Sequence, residues 1–206
     1  MVKYEFLKSN NSREDVLNDS RSTVSKEALH KEPSKKFKRA ILIAMHSTIR
    51  NLTVRWKWLD IPSFCATHFS RHKFEKFIST QRSDRTGVNR NNLPQDAPVS
   101  FTGVANAQNI IDMMSKRLCF TADKTTVEYA QSLKKELRNI EPELADVCVP
   151  SCIMYGGCRE EGLGTGCHFY ENFLKRHPEI TVNTSIQERY DIYNQDFYKI
   201  NQETAQ

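Results

Sequence analysis

The stretch from residue 68 to residue 90 concentrates side chains that can bind an anion. Its charged or titratable members include Arg71, His72, Lys73, Arg82, Arg85 and Arg90, and its neutral hydrogen-bonding members include Ser79, Thr80, Gln81 and Ser83. A basic run of this kind is most often a solvated surface. Arginine side chains also grip phosphates and planar base edges through paired hydrogen bonds. The neutral hydrogen-bonding groups favour this second interpretation, a pocket for a nucleotide-like anion.

The elements that would position this stretch follow from the spacing of apolar residues. Ser34 is predicted to cap a helix that ends at His46. Residues 52–58 alternate between apolar and polar side chains, which is typical of a half-buried strand. The two tryptophans in it are expected to pack in the core or against another subunit rather than to stack on a base. Pro62 suits the first turn of another helix, which would run towards Arg71.

Two further helices are predicted after a turn-rich loop at residues 86–98. The first covers about residues 104–118, because apolar side chains recur there at the helical repeat. Asn106 and Arg117 are about three turns apart on this helix, so they would lie along one edge, about 16 Å from each other. The second helix turns its apolar side chains inward and ends at Pro142.

Length and composition limit the class of protein. A chain of 206 residues is long enough for one domain, or for one domain with appendages. Lys and Arg number 30 and Asp and Glu 25, and the resulting net charge of +5 suits an anionic small ligand or nucleic acid without requiring either. No apolar run is long enough for a membrane span, and the N-terminus lacks the apolar core of a signal peptide, so we expect a cytoplasmic protein. The six cysteines are then thiols or metal ligands rather than disulfides.

Several short motifs, taken in order, resemble those of the flavin-dependent thymidylate synthases. They are His46-Ser47-Thr48, Arg71-His72-Lys73, Ser83-Asp84-Arg85, Arg90-Asn91-Asn92-Leu93-Pro94, and Asn106-Ala107-Gln108 followed by Arg117. The chain departs from the family in four respects. Lys73 stands where the family has an arginine, and more residues separate the Arg71-His72-Lys73 triplet from Ser83 than in the family. The family's glutamate before that serine is missing, and the stretch from Arg85 to Arg90 is shorter than the family's. Residues 79–82 offer a competing register for the serine motif.

The resemblance implies a reaction, its cofactors and its assembly. dUMP would be converted into dTMP with a one-carbon unit from methylene-tetrahydrofolate and a hydride from FAD that NADPH has reduced. The sites would lie between the subunits of a homotetramer. A guanidinium beside the uracil oxygens would stabilise the negative charge that develops there, and the cofactors would supply the remaining chemistry.

The resemblance also gives each matching residue a role. Arg117 would be the catalytic residue, polarising the pyrimidine and favouring ionisation of its N3. The dUMP-binding residues would be Arg117 itself, His68 (where the family usually has a glutamine), Arg71, Ser83, Arg85 and Arg90. The flavin-binding residues would be Thr48, Arg71, His72, Lys73, Asn106, Gln108 and Asp112. Ser25 is loosely similar to a serine in the family's N-terminal region.

Four cysteines lie in a glycine-rich segment near the C-terminus. They are Cys148, Cys152, Cys158 and Cys167. Four thiols within twenty residues would suit a tetrahedral zinc site. The intervening spacings match no standard cysteine pair, so buried free thiols and an iron–sulfur cluster are alternatives. Cys65 and Cys119 are expected to be buried free thiols.

These observations predict an α+β fold, a small central and mostly antiparallel sheet with helices packed on it, plus a Cys-rich C-terminal extension. Residues 1–13 would be a flexible arm, 14–146 the synthase-like domain, 147–170 the Cys/Gly-rich extension and 171–206 a polar tail. An alternative for the first 36 residues is a short strand and helix that fold against the body.

The leading functional prediction is a flavin-dependent thymidylate synthase. One alternative is a related dUMP-modifying enzyme that omits the reduction, such as a pyrimidine hydroxymethylase. Another is a zinc-stabilised nucleic-acid-binding protein that would use the basic stretch on phosphates. Under the leading prediction neither nucleic acid nor a membrane is a partner.

Overall fold

A single antiparallel sheet forms the centre of the computed structural model, which describes residues 2–203. Its strands are β1 (Lys3–Ser9), β2 (Thr53–Pro62), β3 (Glu75–Ile78) and β4 (Pro98–Asn106). Their order across the sheet is β1-β2-β4-β3, with every neighbouring pair antiparallel. The strands β2 and β4 are therefore central, and β1 and β3 form the edges.

Helices surround this sheet. They are α1 (Arg13–Ser22), α2 (Lys35–Ile43), α3 (Ser63–Ser70), α4 (Ser83–Thr86), α5 (Ala107–Arg117), α6 (Lys124–Ile140), α7 (Pro142–Val147), α8 (Ser151–Tyr155), α9 (Phe169–Arg176) and α10 (Ile186–Glu203). Short 3-10 turns cover Ser47–Asn51, Arg90–Asn92 and Glu161–Leu163. The predicted α+β class with a small antiparallel sheet is confirmed.

The two tryptophans of β2 lie at the centre of the core, as predicted. Trp56 and Trp58 are both fully buried. The ring of Trp58 lies 4.8 Å from that of Phe69 and 5.5 Å from that of Phe101, which joins β2 to α3 and β4. Gly103 of β4 pairs with Trp56 across the strands, and a Cβ atom there would overlap the indole ring. The core thus requires a residue without a side chain at this position.

Most predicted helices are confirmed, but the boundaries around β4 are not. Ser34 caps α2 by accepting a hydrogen bond from the backbone of Phe37 at 3.2 Å. The sequence predicts that the loop ends at residue 98 and that the helix begins at about residue 104, but residues 98–106 form β4. Helix α5 consequently begins at Ala107, because the Asn106 side chain caps it by accepting from the backbone N–H of Asn109 at 2.9 Å.

The N-terminal residues are part of the fold, and the prediction of a flexible arm at residues 1–13 is wrong for the described residues 2–13. Strand β1 pairs with β2 along its length, so its backbone groups are satisfied there. Its Tyr4 and Leu7 side chains pack against the core, and α1 adds Val16 and Leu17. The alternative of a strand and a helix that fold on the body is what forms. Residue 1 lies outside the described residues.

The C-terminal residues also belong to the core, which corrects the prediction of a polar tail at residues 171–206. Phe173 of α9 is fully buried, and Tyr190, Tyr193 and Phe197 form a buried stripe on α10. These three recur at helical spacing, so one face of α10 covers apolar surface. Residues 204–206 lie outside the described part of the chain. Among the described residues, no helix combines the length and the apolar character needed to cross a bilayer.

Candidate active site

The side chain of Arg117 is anchored at the C-terminal end of α5. Its Nε donates to Nε2 of His72 at 2.8 Å, and its Nη2 donates to the backbone oxygen of His68 at 2.7 Å. Both partners belong to the end of α3 and the turn after it, so this arginine joins two elements. Burial and, after it, the charge of Arg71 lower the pKa of the guanidinium. The group is still a cation at neutral pH, because arginine titrates far above it.

His72 is half-buried, and its Nε2 is used by Arg117. Burial first, and then the charges of Arg117, Lys76 and Lys116, lower the pKa of His72 to about 4. The imidazole is therefore neutral at pH 7, with Nε2 as acceptor and its proton on Nδ1. Lys76 closes the turn that carries His72 by donating to the backbone oxygens of Ser70 and His72 at 2.8 Å and 2.7 Å.

His68 and Arg71 complete the cluster around Arg117. The Nδ1 of His68 lies 2.8 Å from the hydroxyl of Thr126, which begins the buried face of α6. Burial and the charges of Arg117 and Arg71 lower the pKa of His68, so this histidine is also neutral at pH 7. Arg71 is exposed beside it. Four residues that the sequence predicted as ligand-binding thus lie together: His68, Arg71, His72 and Arg117.

A second group of predicted residues lies at the opposite end of α5. Asn106 caps this end, and the Gln108 side chain accepts a hydrogen bond from Nε of Arg50 at 2.6 Å. Thr48 is buried nearby in the 3-10 turn that packs on α5, between Ser20 and His46, whose polar atoms lie 2.9 Å and 3.0 Å from its hydroxyl. The sequence analysis did not identify Ser20 or Arg50, because neither belongs to a motif.

Two further residues predicted to bind the flavin, and the serine that resembles one in the family's N-terminal region, lie on the exposed surface. Asp112 occupies the exposed side of α5 between the two groups, and Lys73 follows His72 in an exposed turn. Ser25 is exposed just beyond the end of α1. No side-chain hydrogen bond joins these residues to Arg117 or Thr48 within residues 2–203.

The predicted phosphate-binding residues share one exposed loop. The hydroxyl of Ser83 accepts a hydrogen bond from the backbone of Arg90 at 3.0 Å, which brings the two motifs together. Arg85 lies in α4 between them and contacts Asp84 at 3.8 Å. Asp84 is paired more closely with Arg82 at 2.8 Å. All of these residues are exposed.

The charge of this face is unbalanced. Among residues 2–203, the cations Arg71, Lys73 and Arg90 form no ion pair. Arginine and lysine without acidic partners on one surface suit a ligand that carries phosphate groups. FAD and dUMP both carry phosphates, so the chemistry of the donors present fits these two molecules.

The predicted zinc site of Cys148, Cys152, Cys158 and Cys167 is not formed. No group of three or more His, Cys, Asp or Glu side chains is placed to hold a metal ion in residues 2–203. Cys148 follows α7 and is fully buried in the core, where burial foremost raises the pKa of its thiol to about 12. Cys158 and Cys167 are partly exposed. The expectation for Cys65 as a buried thiol is confirmed, whereas Cys119 is partly exposed.

Comparison of the sequence with known proteins gives no relative: no protein-family model matches it, and no curated protein does. Comparison of the structure gives clear matches. A UMP/dUMP methylase, PolB, from Streptomyces cacaoi, bound with 5-Br dUMP, superposes with a TM-score of 0.57 at 13% identity, over 71% of this chain and 94% of PolB.

Flavin-dependent thymidylate synthase ThyX from Helicobacter pylori is equally similar. A structure of it complexed with FAD and dUMP matches with a TM-score of 0.57 at 12% identity, over 72% of this chain and 99% of ThyX. A second structure of the same enzyme with FAD and dUMP covers 71% of this chain and 97% of ThyX, again at 12% identity and a TM-score of 0.57. The chain therefore has the fold of the flavin-dependent thymidylate synthases.

Proposed function

We propose that this protein is a flavin-dependent thymidylate synthase that transfers a one-carbon unit from methylene-tetrahydrofolate to C5 of dUMP. NADPH would reduce the flavin. Three kinds of observation support the proposal: the shared fold, the order of the sequence motifs, and the chemistry of the side chains at the two ends of α5.

The observation that carries the proposal is the way in which Arg117 is held. A guanidinium has five N–H groups, and two of those on Arg117 donate to His72 and to the backbone of His68. The other three have no partner within the described residues. A fixed cation with free donors beside an exposed basic surface can bind the oxygens of a uracil ring. There it would stabilise the negative charge that develops as N3 ionises and C5 becomes nucleophilic.

The exposed loop would bind the phosphate and sugar of dUMP. Ser83, Arg85 and Arg90 are already close together, because the Ser83 hydroxyl holds the backbone of Arg90. His68 and Arg71 beside Arg117 would complete the nucleotide site. A charge-assisted contact to phosphate contributes about 1.5–3 kcal/mol. Arg90 and Arg71 have no acidic partner within residues 2–203 that would compete for this contact.

The flavin would lie along α5 and the 3-10 turn that holds Thr48. With Gln108 accepting from Arg50 and Asn106 capping the helix, the amide NH2 groups of both residues are left as donors. Lys73 and Arg71 would neutralise the pyrophosphate. The Nδ1–H of His72 remains as a donor, since Nε2 is used by Arg117. Asp112 is the remaining predicted contact. Bound FAD would supply the hydride for the reductive step.

We propose that neighbouring subunits complete the site. The nucleotide-binding residues lie on exposed surface in one chain, with no wall over Ser83, Arg85 and Arg90. Enzymes exclude water from reactive intermediates, so another surface must cover this face. A homotetramer with sites between its subunits would provide it.

One assay tests the proposal. Purified protein is examined for flavin absorbance, with and without dUMP, and is then supplied with FAD, NADPH, methylene-tetrahydrofolate and dUMP. We expect a flavin spectrum that dUMP perturbs, and dTMP formation that depends on NADPH. Replacing dUMP with UMP would measure sugar specificity, since PolB is described as acting on both. Formation of hydroxymethyl-dUMP without NADPH would instead indicate the hydroxymethylase. The proposal would be refuted if the protein bound neither flavin nor dUMP.

A further inference from the structure

A cavity of about 440 Å³ lies beyond the C-terminal end of α5, between α8 and the segment that leads to α9. Four of its lining residues are cysteines: Cys119, Cys152, Cys158 and Cys167. This set differs from the predicted one, because Cys119 takes the place of Cys148. The sequence alone could not show the exchange, since Cys119 is more than thirty residues from the other three.

The four thiols reach the cavity from separate parts of the chain. Cys119 follows α5 directly, Cys152 lies in the first turn of α8, and Cys158 and Cys167 flank the glycine-rich segment. All four are nevertheless lining residues of the same cavity.

Cys148 is excluded from this group by its position. It is fully buried, does not line the cavity, and lies near enough to Lys134 for that charge to lower its pKa slightly against the larger effect of burial. Cys65 lies elsewhere in the core, in contact with the hydroxyl of Thr126 at 3.6 Å. Four of the six cysteines therefore share one cavity, and the remaining two serve as natural controls.

We propose that Cys119, Cys152, Cys158 and Cys167 bind one zinc ion as a tetrahedral tetrathiolate site. Thiolates are soft ligands that favour zinc, and a structural zinc site uses four ligands at about 2.3 Å. Each thiol binds as a thiolate, so the protons that it carries are released to solvent on binding.

The segment between Cys158 and Cys167 would have to close around the ion. In the structure the thiols surround the cavity without converging to ligand distance among the described residues. Gly164 adopts the left-handed conformation, with φ of 68°, and the positions of Gly157 and Gly162 have open space around them. Glycines, which lack side chains, suit a segment whose backbone would have to move towards Cys119 and Cys152.

The site would brace the end of α5 that carries Arg117. Cys119 is two residues beyond Arg117, and Ser151 of α8 already donates to the backbone oxygen of Ser115 at 2.9 Å. Lys116 reaches across to Glu160 at 3.5 Å. A zinc ion that binds Cys119 to Cys152 would add a stronger link between the same two elements.

The test uses the full-length protein and zinc or cobalt(II) alone. We expect elemental analysis of purified protein to give one zinc per chain. After removal of the metal, cobalt(II) should bind with the absorption of a tetrahedral thiolate site and should be displaced by zinc. Iron with acid-labile sulfide, or the lack of both stoichiometric zinc and the cobalt spectrum, would overturn the proposal. None of these readouts depends on synthase activity, so they stand apart from the proposed function.

Variants identify the ligands. Replacement of Cys119 by serine should weaken zinc binding by more than about a hundredfold, beyond the loss typical of residues that only support a ligand. The matched controls, Cys65→Ala and Cys148→Ala, should keep one zinc per chain. Retained affinity in Cys119→Ser, or loss of zinc in Cys148→Ala with the fold intact by circular dichroism, would contradict the assignment. Wild-type cobalt binding decides the question if a variant does not fold.

Discussion

At the scale of single residues, the question is whether Arg117 acts in catalysis or only stabilises the fold. It makes no ion pair with an acid in residues 2–203, so its hydrogen bonds hold it in place without neutralising it. We expect Arg117→Lys to fold and bind flavin normally while losing about a hundredfold or more in turnover, as for other preorganised donors. The measurement is the rate of dTMP formation beside nucleotide affinity and melting temperature.

The control for this variant is Arg55→Lys. Arg55 is an exposed arginine of β2 that lies over the Phe6 ring, away from the cluster around Arg117. It should leave turnover unchanged. A near-normal rate in Arg117→Lys, or a large fall in its melting temperature, would show that Arg117 is structural.

His72 makes stability depend on pH in the acidic range. Its pKa is about 4 in the folded protein and 6.5 in the unfolded chain, so between these values the unfolded chain binds more protons. The free energy of unfolding therefore rises with pH from about 4 to 6.5 and falls on acidification. In His72→Gln, whose amide can still accept from Arg117, this contribution should vanish.

Chemical denaturation of both proteins across pH 3–8 measures the effect. Because every other group is common to the two proteins, the difference between their curves reports His72. In Arg117→Met the pH range over which His72 affects stability should become narrower but should persist. Burial is the largest cause of the lowered pKa of His72, and the charge of Arg117 is the next. Parallel curves for wild type and His72→Gln would contradict the neutral, half-buried histidine.

The resemblance named the residues of this cluster among a larger set of ligand-binding residues, but it did not show which of them contact one another. Spacing and resemblance brought out His68, Arg71, His72 and Arg117, and the structure places these four together. The sequence could not show that His72 accepts a hydrogen bond from Arg117, because that contact joins residues 45 apart in the chain. Arg50, which donates to the side chain of Gln108, was missed for the same reason, because these two residues are also far apart in the chain.

At the scale of elements, the failure to predict strand β4 has a physical explanation. Strand β4 contains Ser100, Thr102 and Gly103, and it runs directly into α5 with no turn between them. Its apolar residues alternate on one face, yet the local pattern resembles a loop followed by a helix. Pairing with β2 and β3 on both sides decides the structure, which is a tertiary effect rather than a local preference.

Gly103 gives a direct test of this central pairing. A Cβ atom at this position would overlap the ring of Trp56, which is fully buried. We expect Gly103→Ala to lower the free energy of unfolding by about 1–3 kcal/mol, the usual effect of overpacking. The matched control is Gly162→Ala, where no atom lies within 4 Å and the change should be under about 0.5 kcal/mol. Equal effects in urea denaturation would contradict the packing described.

At the scale of the whole molecule, the C-terminal helices complete the core rather than trail from it. The face of α10 packs over Lys134 of α6, a lysine that is fully buried. Its ammonium donates to the backbone oxygen of Ala145 at 2.5 Å and to Oδ1 of Asn194 at 2.8 Å. Polar composition over residues 171–206 concealed this packing, because only one face of α10 carries its buried aromatic residues.

Lys134 also gives the molecule a pH dependence in the alkaline range. Burial is the chief cause that lowers its pKa to about 8, against 10.5 in the unfolded chain. The rings of Tyr193, Phe197 and Tyr198 lie 5.2–5.7 Å from Nζ and attract the cation. This attraction is smaller than the cost of removing the ammonium from water, so the pKa is still lowered. Between pH 8 and 10.5 the unfolded chain binds the extra proton, so Lys134 contributes stability that rises with pH.

Comparison of wild type with Lys134→Met isolates this contribution. The raised pKa values of Cys152 and Tyr193 lower stability at high pH, but Lys134 is not among their causes, so these contributions cancel in the difference. The Cys148 thiol interacts with the charge of Lys134 and is counted with it. We expect the free energy of unfolding of the wild type to gain on that of Lys134→Met as pH rises from 8 to 10.5, and the gap to be constant between pH 6 and 7.5. Asn194→Ala should lower stability by about 1–3 kcal/mol at pH 7, because it leaves the ammonium with one partner fewer. A constant gap across the alkaline range, together with no loss in Asn194→Ala, would mean that α10 does not cover Lys134 in solution.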